Sequence, residues 1–243
     1  MSFDLSRTQP ELCNRALARH LLLGIDTCGP LGSVALGRMA GGQVEILEQK
    51  ELAGRSYSAT LVAAVGDLLS GAGMRLEAVG AIIAVSGPGS FTGVRVGLSA
   101  VKGLAEVSRI PVVAVSRLEV LAGKARVGAS ALDAHRHEVF LRLGGPGMEP
   151  SELLAGAGEL AAIRPVPQQV AVCDQAADLL REAWPAAELI AENPPTAADA
   201  LQFCVERVQR GEFVDLTLLD GHYLRRSDAE IFGEPGAKRP PRS

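Results

Sequence analysis

The chain reads LLLGIDTCGPLGSVALGRMAGGQVEILEQKEL over residues 21–52, three strand-length apolar stretches parted by two turn clusters. Leu21–Thr27 is short and apolar, as a buried strand requires. Cys28-Gly29-Pro30-Leu31-Gly32 is a turn, because glycine and proline supply the dihedral angles that a reversal needs. Ser33–Arg38 starts a second strand, Gly41-Gly42 turns the chain again, and Val44–Leu52 alternates as a third. A parallel return would need a crossover of about a dozen residues, so these short connections dictate an antiparallel meander.

Downstream the period changes. Ser56 or Ser58 can cap a helix over 56–70, with Leu61, Val65, Leu68 and Leu69 at helical spacing and Gly71 and Gly73 ending it. Val79–Val85 is a strand, Ser86–Thr92 a loop, a second helix runs to about residue 108, and Pro111 introduces a strand over Val112–Val115. Meander, helix, strand, helix, strand is the order found in each half of the actin, Hsp70 and sugar-kinase folds. The predicted class is therefore α/β, a duplicated actin-like (ribonuclease H-like) fold with two subdomains, which by itself says little about chemistry.

The second half echoes the first. Val127–Asp133 is a strand ending in Asp, His135-Arg136 turns, and Glu138–Leu143 returns. Gln169–Asp174, Ala176–Ala183 and Glu188–Ala191 then read as strand, helix and strand, and Thr196 caps a last helix through Val208. The expected division is an N-terminal subdomain over 21–116 and a reduced C-terminal one over 117–226, its final segment packing back on the first. Residues 1–20 read as a disordered leader, 144–168 as an irregular connection, and 227–243 as a disordered basic, proline-rich tail.

Composition bounds the function. With 47% hydrophobic residues, wholesale disorder is excluded. The longest apolar runs, Leu21–Ile25 and Ala81–Val85, fall far short of the roughly 20 residues that cross a bilayer, and the start has no signal-peptide pattern. The net charge of −4 makes the whole chain no magnet for nucleic acid, so RNA must be met through a local patch or a partner. Cys13, Cys28, Cys173 and Cys204 have no metal-ligand spacing and read as reduced cytoplasmic thiols.

The segment Ser86-Gly87-Pro88-Gly89-Ser90-Phe91-Thr92-Gly93-Val94-Arg95 is a glycine-rich loop between a strand and a helix. Such a loop can aim backbone N–H groups and a helix dipole at an anion, or be a tight turn with no ligand. No Gly-Lys-Ser/Thr follows, so it is not a Walker A loop, and Gly87-x-Gly89-x-x-x-Gly93 is one residue too long for a dinucleotide fingerprint. An anion loop here would draw on Asp26, Thr27, Ser33, Gly87, Gly89 and Ser90. Along the following helix Gly93, Gly97 and Ala100 share one nearly bare face. Glycine inside a helix costs roughly 1 kcal/mol relative to alanine, so a close neighbour is expected, in the same domain or on a second chain.

These pieces resemble the TsaB (YeaZ) family. The likeness rests on Leu23-Gly24-Ile25-Asp26-Thr27, Ser33-Val34-Ala35-Leu36, the run Ser86–Arg95, Gly97 and Gly103-Leu104-Ala105. Leu132-Asp133-Ala134-His135-Arg136-His137-Glu138-Val139-Phe140 and Tyr223-Leu224-Arg225 follow in the same order, so it spans about residues 20–226. The resemblance implies a two-domain actin-like protein without catalytic residues, metal or cofactor of its own. It implies a structural and activating role in adding threonylcarbamoyl to the tRNA adenosine next to the anticodon, by pairing with a TsaD-type catalytic subunit and a TsaE-type ATPase. Self-pairing would compete, and tRNA would be met only through the complex. In the family the contact is a bundle of the two N-terminal helices, here 56–70 and 92–106. The partner-facing residues would be Tyr57, Leu61, Val65, Leu68, Gly93, Arg95, Gly97 and Ala100. Arg55-Ser56-Tyr57-Ser58 departs from the family's Arg-x-His-Ser, with Tyr57 in place of histidine.

The sister enzyme family, TsaD, carries two metal-binding histidines four residues apart in the helix after the fifth strand. Here those positions are Arg117 and Leu121, neither of which can ligate a metal. The rival reading is an actin-like ATPase, kinase or carbamoyltransferase acting alone, for which Asp26, Thr27 and Ser33 would be remnants of a phosphate site.

Overall fold

The computed structural model describes residues 9–225. Helix α1 (Gln9–Arg19) precedes the meander β1 (Leu21–Asp26), β2 (Leu31–Ala40) and β3 (Gln43–Ala53). Helix α2 (Tyr57–Gly71), β4 (Val79–Val85), α3 (Phe91–Ser108) and β5 (Val112–Val115) complete the first lobe. The second comprises α4 (Arg117–Ala125), β6 (Ala129–Asp133), β7 (Val139–Gly145), β8 (Met148–Ala155), α5 (Ala157–Ala162), β9 (Gln169–Val172), α6 (Ala176–Ala183) and β10 (Glu188–Ala191). Helix α7 (Ala197–Gln209) closes the regular structure.

The two sheets have the same plan. The first runs β3-β2-β1-β4-β5 and the second β8-β7-β6-β9-β10. In each, a three-strand antiparallel meander is extended by two parallel strands reached through helices. This is the duplicated actin-like fold expected from the order of elements.

Alternation along the strands places helices on both faces of the first sheet. Gly32 faces the Tyr57 ring of α2, while its neighbour Ser33 accepts a hydrogen bond from Ala197 N at the start of α7, 2.8 Å away. Covered on both sides, β1 and β4 are buried along their whole length, which is why they read as continuous apolar runs. Gly24 lets α7 approach closely, since a Cβ there would lie 2.7 Å from Ala197 O. Thus α7 crosses from the second lobe to pack on β1, β2 and β3. Its start is the capping box that Thr196 announces, the Thr196 side chain accepting from Asp199 N.

Two expectations need correction. Residues 9–19, read as disordered leader, form α1, whose Ala16 is fully buried against β4 and α7. A Cβ on Gly80 would lie 2.5 Å from Ala16 O, so helix and strand are in close contact. The connection over 144–168 contains β8 and α5. Strand β8 is an edge strand, where Pro150 leaves no ladder bond missing and outward residues need not alternate. Residues 1–8 and the tail over 227–243 lie outside the described residues. Among those described, no helix is long and apolar enough to cross a membrane.

Candidate functional site

The glycine loop folds onto the first turn rather than around an open cradle. Ser90 N donates to Cys28 O at 2.7 Å, and a Cβ on Gly89 would collide with Cys28 O. Gly87 packs against His222 O, 2.9 Å from where its Cβ would be, and its own carbonyl accepts from Arg117 N at 2.6 Å. Ser90 caps α3 by accepting from Gly93 N, 3.2 Å. The residues expected at an anion loop are satisfied from within. Asp26 Oδ1 accepts from Cys28 N at 2.8 Å, Thr27 Oγ1 donates to Gly93 O at 2.7 Å, and Ser33 is held by α7.

Arg117 lies between the lobes. Its side chain is 8% exposed, and its Nε sits 3.5 Å from Asp26 Oδ2, whose side chain is 1% exposed. The guanidinium lies against the turn, Nη2 being 2.6 Å from the Cβ position of Gly29. Burial disfavours the charged guanidinium, but Asp26 together with Cys28, Cys173 and Asp174 outweighs it and raises its pKa. Burial, reinforced by Asp26, pushes the Cys28 thiol up; burial and Asp174 push Cys173 up to about 12. Both are therefore neutral thiols, not nucleophiles, at neutral pH. Leu121 is fully buried, and among the described residues no group of three His, Cys, Asp or Glu side chains is placed to hold a metal.

A second interlobe contact centres on Glu152, which sequence reading passed over because it lies in the supposed irregular connection. Its carboxylate accepts from Ser116 Oγ at 2.6 Å and Arg142 Nη1 at 2.9 Å, and pairs with His222 Nε2 at 2.8 Å. His222 thereby ties the C-terminal segment to β8. Burial would raise the Glu152 pKa, but the bonds from His222, Ser116 and Arg142 outweigh it and hold the carboxyl below its ordinary 4.5. A depressed carboxyl stabilises the fold fully above its unfolded value, and that contribution is lost as pH falls through the folded one. Glu152→Gln is accordingly expected to lose about 2 kcal/mol at pH 7. In urea denaturation its gap to wild type should narrow steadily below pH 4.5; an unchanged gap would show that the carboxylate's charge is not what matters.

The helices expected to meet a partner present different faces from those predicted. Tyr57, Leu61, Val65 and Leu68 of α2 are in the core, because that stripe lies toward β2 and β3. Gly93 and Gly97 are buried against the first turn, their Cβ positions taken by Thr27 O and Thr27 Oγ1. Ala100 is half-buried against the same core, and only Arg95 of that set is exposed. The bare face of α3 therefore receives the Thr27 turn of its own lobe.

The exposed face of α2 carries Ala59, Val62, Ala63 and Gly66, and that of α3, packed beside it, carries Arg95, Ser99 and Gly103. A Cβ on Gly66 or Gly103 would have no atom of the described residues within 4 Å. Among the described residues no contact requires these two glycines, and that was the missed signal: helical glycines on the outward stripes.

A family model described as TsaD: tRNA N6-adenosine threonylcarbamoyltransferase matches residues 44–187. The chain is 35% identical over 125 residues to the Haemophilus influenzae tRNA threonylcarbamoyladenosine biosynthesis protein TsaB, covering 49% of this chain and 51% of that protein. It is 36% identical over 126 residues to the Escherichia coli protein of the same name, covering 49% and 52%. The chain thus spans about half the length of the curated relatives it matches. The solved structure of YeaZ from Pseudomonas aeruginosa superposes with a TM-score of 0.66 at 31% identity, covering 84% of this chain and 99% of that one.

Proposed function

This chain belongs to the TsaB (YeaZ) family within the TsaD-like proteins, and from that premise we propose that it is a non-catalytic, activating subunit in threonylcarbamoyl modification of tRNA. It docks a TsaD-type catalytic subunit through the exposed faces of α2 and α3, and stabilises that partner's competent conformation by binding energy alone. A TsaE-type ATPase joins the assembly, tRNA is met only through the complex, and the chain works in the cytoplasm without a cofactor. Self-pairing through the same face competes with the heterodimer.

The observation that carries this reading is the outward row of small residues containing Gly66 and Gly103. Each exposed helical glycine costs roughly 1 kcal/mol relative to alanine, and nothing within the described chain compensates. Close approach of helices from a second subunit would. Arg117 supports the non-catalytic half of the proposal, since it fills the space beside the first turn and pairs with the buried Asp26 carboxylate.

The test is co-elution of the chain with its cognate TsaD-type subunit in size-exclusion chromatography. Wild type should form the complex. Gly66→Arg should weaken it about 100-fold while leaving the thermal midpoint unchanged or slightly higher, because arginine is the better helix former. An intact Gly66→Arg complex would show that another face docks. Threonylcarbamoyl transfer by the isolated chain would refute the non-catalytic assignment.

A further inference from the structure

Helix α3 begins at Phe91, and Phe91, Arg95, Ser99 and Gly103 form one exposed row at four-residue spacing. At its N-terminal end the row meets the C-terminal segment. Tyr223 packs on Phe91 with ring centroids 5.0 Å apart, and the Arg95 guanidinium lies 3.8 Å from the Phe91 centroid and 5.9 Å from that of Tyr223. Phe91 and Tyr223 remain 38% and 37% exposed. We propose that Phe91, Arg95 and Tyr223 form an anchor at the end of the docking face, and that it receives a carboxylate-bearing segment of the partner subunit. The proposal rests on the reading that α2 and α3 dock a second chain.

The anchor is braced from behind. His222 N donates to Ser86 O at 2.7 Å, His222 Nε2 pairs with Glu152 at 2.8 Å, and Arg225 pairs with Glu138. Leu219 is buried in the first lobe's core, and Leu224 packs beside Leu118, Leu132 and Phe140. Tyr223 is thus held on both sides, and little ordering entropy is lost when a partner arrives. Aromatic rings and arginine are the residue types that dominate interface energetics.

The choice of occupant follows from what is left open. Arg95 makes no ion pair with a described residue, whereas eight other described arginines do. Its guanidinium lies over the Phe91 ring, Arg95 is exposed, and its N–H edge has no hydrogen-bond partner among the described residues. A planar carboxylate matches that edge with two parallel hydrogen bonds. A nucleotide base is the poorer match, because the Phe91 face on which it would stack is occupied by Arg95.

Calorimetric titration of the full chain with the purified TsaD-type subunit, at low and high salt, tests this. Arg95→Gln should weaken binding about tenfold or more and remove most of the salt dependence. Tyr223→Ala should weaken it to a similar degree, whereas Tyr223→Phe, which keeps the ring, should stay within about twofold. Arg95→Gln and Tyr223→Ala binding like wild type, with Gly66→Arg inactive in the same assay, would overturn the anchor and leave the docking face standing. No binding by wild type would remove the docking reading and the anchor with it. Binding of tRNA to the isolated chain that Arg95→Gln abolishes, with the protein complex unaffected, would overturn the carboxylate assignment in favour of nucleic acid.

Discussion

Arg117→Ala is expected to destabilise the fold by about 3–5 kcal/mol, the usual cost of removing one partner from a buried ion pair. The Asp26 side chain is 1% exposed and would keep only its bond from Cys28 N. Void formation adds to the loss, because the guanidinium lies against Gly29, which has no side chain to fill the space. Urea denaturation at pH 7 measures the effect. Adding Asp26→Asn should recover part of it, since the amide carries no charge to strand; a double variant that shows only additive losses would mean that the pair is not the source. Arg117→Lys should fall between wild type and alanine, keeping the charge without the guanidinium contact.

Two glycines of helix α3 should respond in opposite ways. Gly97→Leu is expected to cost at least about 3 kcal/mol, because overpacking a filled site forces backbone to move. Its Cβ would strike Thr27 Oγ1, which is fixed by its bond to Gly93 O at 2.7 Å. At Gly103 an added Cβ meets no described residue within 4 Å, and Gly103→Leu should gain a few tenths to about 1 kcal/mol from helix propensity alone. In complex formation the order reverses: Gly103→Leu folds and fails to bind the TsaD-type subunit, while Gly97→Leu loses binding only as it loses structure. Thermal melts paired with co-elution separate the two. A folded Gly97→Leu that fails to bind would return the contact to the inner face of the helix.

That contrast shows where sequence and structure part. A period of 3.6 residues marks stripes on a helix, and α2 has two apolar ones, Leu61/Val65/Leu68 and Ala59/Val62/Ala63/Gly66. Which is inward depends on where β2 and β3 lie, and no local spacing carries that information. Likewise Gly97 and Gly103 are alike in sequence and differ only in what stands opposite. The α1 helix was missed because it is short and polar on average, and its place is fixed by packing Ala16 on β4 and α7. Edge strand β8, with Pro150 and an exposed face, lacks the alternation of half-buried strands.

By itself the sequence determined the meander of residues 21–52, the repeat of that plan in the second half, the Thr196 cap, the glycine loop and the family likeness, since short apolar runs, turn residues and caps act through nearest neighbours. Only the tertiary structure decided that the loop is filled by its own chain, that Arg117 is the buried counter-charge of Asp26, that Glu152 and His222 join the lobes, and that the outer faces of α2 and α3 are the ones left exposed. Each of these depends on residues far apart in the chain, and burial, charge compensation and close approach are properties of the packed ensemble of elements rather than of any one segment.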